Sequence, residues 1–360
     1  MVVRWIAALA AFLVGAVLGV IIAGGGLTDY DAALGAFPLI TAIAVLVAFA
    51  AYALVEFLQT GAFASIAAQF GTRTIVLMPI AIAINIILGQ TVAAALKVPV
   101  YLDSIGTILV GALAGPIPGA LTGMLANLLW TYVLPPPFHS DFAAPFAITA
   151  VVIGLLAGVA GRLALLRPRP SAPTRELIVA GIVALVVIGG LGLWTYTQFY
   201  AETLTFFNPT PDSDPGLLLT IVGWLIGAML VAAVVGFLAL LFVRRDATVA
   251  YVVVAGAVTG VVAAILSAPI SANLFGGVTG AGTDFLVAFF RQQGADVLGA
   301  SFQQGLISDP IDKIITFFVV YLILVAMARR TKARFPQGER LLESGDGSAT
   351  EEGEWRGAPA

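Results

Sequence analysis

The chain is 360 residues long, with 60% of them hydrophobic and only 10% charged, against about 25% charged in an ordinary soluble domain. At a mean hydropathy of +1.04, 17 basic and 20 acidic side chains cannot cover a soluble fold of this length. This excludes a cytosolic enzyme, a nucleic-acid binder and a disordered scaffold. The chain has no cysteine, which rules out thiol catalysis, disulfides and thiolate metal sites, and its single histidine, His139, argues against a histidine-built metal centre. The net charge of −3 says little about partners, because in a membrane protein the placement of charge outweighs its sum.

A helix needs about 20 apolar residues to cross a hydrocarbon core of about 30 Å. Apolar runs between polar punctuation predict an all-α polytopic membrane protein of about ten spans: 5–23, 37–58, 74–96, 104–116, 118–134, 145–165, 177–199, 216–242, 247–268 and 311–328. The first run follows Arg4 and ends in the small residues Ala23 to Gly26, as a signal peptide would. It exceeds the about 7–15 apolar residues of a signal peptide and reads as a retained helix. The fourth is short and glycine-rich, which suggests a tilted or broken helix or one merged with its neighbour.

Lys and Arg concentrate in cytoplasmic loops. Alternating ten spans from an inside start places 14 of the 17 basic residues inside and leaves Lys97, Arg291 and Lys313 outside. Both termini are therefore expected in the cytoplasm. The stretch RPRPSAPTR at 167–175 reads as a basic, proline-rich linker and the best point to divide the chain into two halves. From about 335 the chain turns polar and is expected to be disordered. The outer segment 269–310 contains DFLVAFFRQQ at 284–293, which suits an interfacial or re-entrant helix or a lid.

The chemistry-bearing residues are few. None of Lys97, Lys313 and Lys332 follows glycine, so no ATP-binding P-loop exists. His139 stands alone in an outer loop and forms no nucleophile–histidine–acid set. In 98–134, Gly111 and Gly115 are four residues apart, and Gly119 and Gly123 repeat that spacing. Each pair lies on one helix face, where small residues let helices approach closely. Asn127 continues the second series and Trp130 follows nearly one turn on, so both fit either packing or a ligand contact. Asp103 and Ser104 suit a helix cap, and Asp103 equally a ligand contact. Ser267, Ser271 and Asn273 precede FGGVTGAGTD, 275–284, whose four glycines and two threonines predict irregular backbone ending at Asp284. At membrane depth such backbone must be buried in protein or line a cavity, and at the outer face it would equally serve as a plain surface loop. Asp309, Pro310 and Asp312 read as a helix start, which leaves Lys313 and the pair Gln303 and Gln304 unexplained. Glu56 is the clearest acid within a span, near its cytoplasmic end, where interfacial solvation or pairing with Arg73 would satisfy it.

YLDSIGTILVGALAGPIPGALTGMLANLLW, 101–130, resembles an early helix pair of the substrate-binding S components of energy-coupling factor (ECF) transporters. SAPISANLFGGVTGAGTD, 267–284, with LISDPIDKIITFFVVYLIL, 306–324, is similar to the C-terminal part of longer members of that group. The resemblance covers about 72–330. It implies an S-component-like helical bundle that captures a vitamin or similar micronutrient from outside. It also implies partnership with a transmembrane coupling subunit and two cytoplasmic ATPase subunits. On this mapping Asp103 falls in an external loop of the pocket, and Asn127 and Trp130 on the helix lining it. The chain departs from the pattern in three ways. It has about ten spans rather than about six, the N-terminal hairpin 5–58 lies outside the resemblance, and 74–96 lacks the family's Ala-x-x-x-Ala docking motif. Ala64 and Ala68 have that spacing but lie in the preceding loop.

The expected organisation is an N-terminal hairpin and linker over 1–71, an S-component-like region over 72–334 and a tail over 335–360. The expected function is a non-enzymatic capture subunit in the cell membrane, with no cofactor, no metal and no nucleic-acid partner. Its candidate substrate-binding residues are Asp103, Asn127, Trp130, Asn273 and Asp284. The alternatives are a self-sufficient ion-coupled transporter, in which Glu56 or Asp284 couples the ion, and a membrane sensor or assembly module.

Overall fold

The computed structural model describes residues 2–23, 25–26, 30–95, 100–200 and 245–343, with parts of 228–243. Among these residues there are helices and no strands. Six helices are long and apolar enough to cross a membrane, and the chain is an all-α membrane protein. Helices α1 (Val2–Ala23) and α2 (Phe37–Thr60) form an N-terminal hairpin. The bundle continues with α3 (Thr72–Leu88), α4 (Ile105–Ala114), α5 (Pro116–Tyr132), α6 (Ala147–Arg162) and α7 (Thr174–Tyr200). It closes with α8 (Thr248–Phe275), α9 (Asp284–Gln292) and α10 (Val297–Ala326). Most of the eighth expected span, 216–242, and all of Lys97 lie outside the described residues.

Apolar side chains point outward on the long helices, among them Ile6, Leu9, Leu13, Leu46 and Val186. Such a surface is solvated by lipid, so exclusion from water supplies little drive for helix to pack on helix. Close backbone approach must supply it instead. Two glycine seams do this. A Cβ on Gly119 would sit 2.7 Å from the Gly111 Cα, and one on Gly154 or Gly158 would overlap the backbone at Gly119 or Pro116. This seam draws α4, α5 and α6 together, which is the packing expected of Gly111 and Gly119. The second seam lies between α8 and α10. There Gly256 faces the Ile314 backbone, Gly260 the Pro310 backbone, and Ala264 the side of Gly305.

Two expectations about α10 and the tail change. Asp309 and Pro310 do not begin a helix. The helix starts at Val297, where Asp296 accepts a hydrogen bond from the Gly299 N–H at 2.6 Å, and runs continuously through Pro310. A proline is tolerated there because a packed bundle can re-satisfy the freed backbone, and Gly260 makes room for it. The start of the tail, expected to be disordered, is packed. Phe335 and Leu341 belong to the main core with Leu113, Ile153, Val252 and Phe317. That core takes residues from both sides of the 167–175 linker, so the linker divides the sequence but not the core. The tail also supplies donors to helix ends, whose last carbonyls have no partner within the helix. The Gln337 N–H reaches the Leu113 carbonyl at 2.9 Å, and Arg340 reaches the Arg162 carbonyl at 2.9 Å. Residues 344–360 lie outside the described residues.

The same end of the bundle gathers the arginines. Arg4 pairs with Glu56 at 3.1 Å and donates to Gln59 at 2.9 Å, and Arg162 lies over the Trp5 ring at 5.3 Å. Glu56 is therefore satisfied by Arg4 and by the Ser65 N–H and hydroxyl, at 2.6 and 2.7 Å, and not by Arg73. Contact across the α1–α2 hairpin outranks proximity in sequence here.

The α8–α10 seam generates a direct test. Gly260→Leu should cost at least about 1–3 kcal/mol by overpacking, read as a lower Tm of the detergent-solubilised protein. Gly189→Leu on α7, where an added Cβ meets nothing within 4 Å, should leave Tm unchanged. Equal Tm values for both variants would refute this packing.

Candidate functional site

Helix α4 is the element that makes a site. Its ten residues span about 15 Å at 1.5 Å per residue, half of a hydrocarbon core. The non-helical residues 100–104 before it are consequently held inside the bundle, and their backbone N–H groups need protein acceptors. Asp312 on α10 provides them, since one carboxylate oxygen accepts from the N–H groups of Tyr101 and Leu102 at 2.9 and 2.8 Å. Its other oxygen receives the Lys313 ammonium at 2.5 Å, and Lys313 also donates to the Ser104 hydroxyl at 2.9 Å. The first turn of α4 is completed by a different helix. Asn85 on α3 accepts from the Gly106 N–H at 2.7 Å and donates to Thr107 at 2.8 Å. Ser104 stands at the cap position, but neither it nor Asp103 makes the side-chain cap expected of them.

Above this clamp lies a cavity with about 1050 Å³ of empty space, part of it open solvent. Its wall combines α4, α5 and α6 on one side with α8, α10 and the 279–281 loop on the other. It sits at the N-terminal ends of α4 and α6 and the C-terminal ends of α5 and α8, opposite the arginine-rich end. Asp103, Ser104, Asp309 and Lys313 provide charge and hydroxyls, while Tyr101, Trp130, Phe142 and Phe146 provide aromatic surface. Gly89 also lines the cavity and opens a π-helical turn, Gly89–Ala95. A Cβ there would press on the Trp130 ring and sit 3.0 Å from the Asp103 Cβ.

Three of the five sequence-derived candidates come together here. Asp103 lies 3.7 Å from the Lys313 ammonium. Asn127 lines the cavity and donates back to the Gly123 carbonyl at 3.1 Å. Trp130 is 9% exposed, and its indole N–H has no hydrogen-bond partner among the described residues. The other two do not line the cavity. Asn273 points to the Gly35 carbonyl at 3.4 Å. Asp284 accepts from the Thr279 N–H and hydroxyl at 3.0 and 2.9 Å and from the Gly280 N–H at 2.7 Å. It shapes a loop of the cavity wall without facing the space. His139 bonds to Asp141 at 2.9 Å and is likewise no part of the lining.

Sequence reasoning passed over several lining residues. Thr149 on α6 is 6% exposed with an unpartnered hydroxyl, and its signal was a lone hydroxyl in an apolar helix. Asp309 accepts from Ser267 at 3.2 Å and from Ser308 at 3.4 Å. A chain of polar contacts continues from Ser308 to Gln304 at 2.6 Å, to the Tyr101 hydroxyl at 3.3 Å and to Thr283 at 2.7 Å. The sequence signal for these was Lys313 at the start of an apolar span and Gln304 just before it, both left unexplained. The cavity can hold a small molecule by apolar contact and a few fixed polar groups, the usual composition of a ligand pocket. No family model, curated protein or solved structure matches the chain.

The clamp beneath the cavity is testable on its own. Asp312→Asn keeps an acceptor for the two N–H groups but leaves Lys313 without its closest anion. It should destabilise the protein by about 3–5 kcal/mol, as expected for breaking a buried pair. Adding Lys313→Met should recover part of that loss in thermal unfolding. No recovery in the double variant would show that the pair does not hold the segment.

Proposed function

We propose that the chain is a membrane-embedded substrate-capture subunit of the ECF S-component kind, serving ATP-driven uptake of a vitamin or similar micronutrient. One observation carries this reading: a cavity between the helices, at the end away from the arginines, with buried polar groups left unpartnered. Trp130 and Thr149 each present a hydrogen-bonding atom that the protein does not use. Leaving such groups buried and unmade is costly, and a bound molecule would satisfy them. The resemblance of 101–130 falls on the stretch that forms much of this wall.

On this reading about ten spans cross the cell membrane, with both termini cytoplasmic and the cavity facing outward. The arginine-rich end, to which Arg4, Arg162 and Arg340 belong, agrees with the inward bias of basic residues. The chain carries no P-loop, so ATP hydrolysis would reside in two separate ATPase subunits reached through a coupling subunit. The protein's own work is to bind and enclose the ligand. Trp130 offers an aromatic face and an N–H donor, Asn127 an amide, and Asp103 with Lys313 a polar floor.

A second reading, a self-sufficient ion-coupled transporter, draws on Asp309. A buried carboxylate in a membrane helix is a functional candidate, and among the described residues Asp309 bonds to the Ser267 and Ser308 hydroxyls. Glu56 and Asp284 serve this reading less well, since Arg4 and Ser65 occupy the first and the 279–280 loop occupies the second.

Protein purified gently from the membrane should retain a small molecule identifiable by mass spectrometry. Trp130→Ala should weaken its binding about tenfold or more by loss of ring contact and donor. In liposomes the chain alone should bind this molecule without accumulating it. Accumulation driven by an ion gradient, with no other subunit present, would overturn the capture reading in favour of the second.

A further inference from the structure

The charge of the cavity floor does not balance, and the imbalance points to the ligand. Three carboxylates, Asp103, Asp309 and Asp312, surround a single cation, Lys313. Asp312 is fully engaged, with two backbone N–H groups on one oxygen and the Lys313 ammonium on the other. Lys313 is thereby committed at 2.5 Å to Asp312, while Asp103 is the more distant partner at 3.7 Å. Asp309, 6% exposed, has the Ser267 and Ser308 hydroxyls and no ion pair among the described residues. With Lys313 matched most closely to Asp312 and shared with Asp103 at 3.7 Å, one cation faces three carboxylates, and Asp309 is the one without an ion pair among the described residues.

An uncompensated carboxylate such as Asp309 is expensive away from water, and it escapes that cost by taking up a proton or by meeting a cation in the cavity. The rest of the lining suits a cation with a flat apolar body. Aromatic faces attract positive charge, and Tyr101, Trp130, Phe142 and Phe146 line the same space. The indole N–H of Trp130 and the hydroxyl of Thr149, both more than nine-tenths buried and without partners, supply independent evidence that a polar ligand belongs here. The flat aromatic lining favours an organic cation, whose apolar body it would bury.

Resting on the capture reading above, we infer that the cavity takes a small organic cation with an aromatic or similarly flat body, its positive group set against Asp309 and Asp103. Ser267 and Ser308 hold the Asp309 carboxylate in place, and Asp312 offsets the charge of Lys313, which shares the lining.

The test uses three probes of matched size, benzylammonium, benzyl alcohol and benzoate, titrated calorimetrically into the full-length protein in detergent. Benzylammonium should bind about tenfold or more tighter than benzyl alcohol, the scale of one hydrogen bond to a charged group, and benzoate more weakly still. Asp309→Asn should abolish the preference. Asp103→Asn, at a side chain 32% exposed, should reduce it and serves if the first variant does not fold. Asp141→Asn, outside the cavity, should leave it intact. Binding of the neutral or anionic probe as tightly as the cation overturns the inference, as does no binding of the cation or a preference unchanged in the cavity variants. If the molecule that co-purifies is neutral or anionic, the charge assignment fails and the capture reading stands. If no molecule of any charge is held, both fail.

Discussion

The carboxylate of Asp312 holds together two segments about 210 residues apart in sequence, and the cavity depends on that bond set. Residues 100–104 are not helical, yet they lie inside a bundle whose outer surface is apolar. Their N–H groups have lost their helical partners, and each would cost several kcal/mol if buried and left unpaired. Asp312 takes two of them, and Lys313 offsets the charge that this introduces. Tyr101, Asp103 and Ser104 owe their positions in the cavity wall to this clamp. Helix α4 can therefore be half-length without leaving a hole, because a side chain from α10 does the work of the missing turns.

The glycine seams are the second constraint, and they act through volume instead of charge. In a lipid-facing bundle the helices gain little by hiding apolar surface from one another, so their association rests on contact between backbones. Gly119, Gly154 and Gly158 provide that contact for α4 to α6, and Gly256 and Gly260 provide it for α8 and α10. The two seams set the two sides of the cavity. At the opposite end the arginines and the packed residues 335–343 finish the helix termini, since Gln337 and Arg340 supply donors to the carbonyls at the ends of α4 and α6.

The residues readable in the sequence and those hidden from it differ for physical reasons. Asn127 and Trp130 could be found because they extend a glycine series on one helix face, where periodicity alone assigns the direction. Asp103 could be found because it sits beside a helix start. Asn273 and Asp284 lie outside the cavity lining, because a glycine-rich stretch announces irregular backbone without saying which way its side chains turn. Asp284 turns onto its own loop. Asp309 was hidden by local grammar, since Asp-Pro-x-Asp has the form of a helix cap and only the upstream cap at Asp296 shows that the helix is already running. Thr149 carried no pattern beyond a lone hydroxyl in an apolar helix. Glu56 found Arg4 rather than Arg73, a pairing decided by the antiparallel packing of α1 on α2.

Composition and hydropathy by themselves determined that this is an all-α membrane protein whose basic residues crowd into particular segments. They could do so because burial in lipid selects residue type directly, span by span. The sequence also located the two stretches, 98–134 and 267–313, from which much of the cavity is built. Only the tertiary structure decided which polar groups meet. It set Asp312 under the 100–104 segment, committed Lys313 most closely to Asp312 and left Asp309 without an ion pair among the described residues. The reason is that a charge balance belongs to a volume in space, and residues separated by some 200 positions share that volume only after the helices have packed.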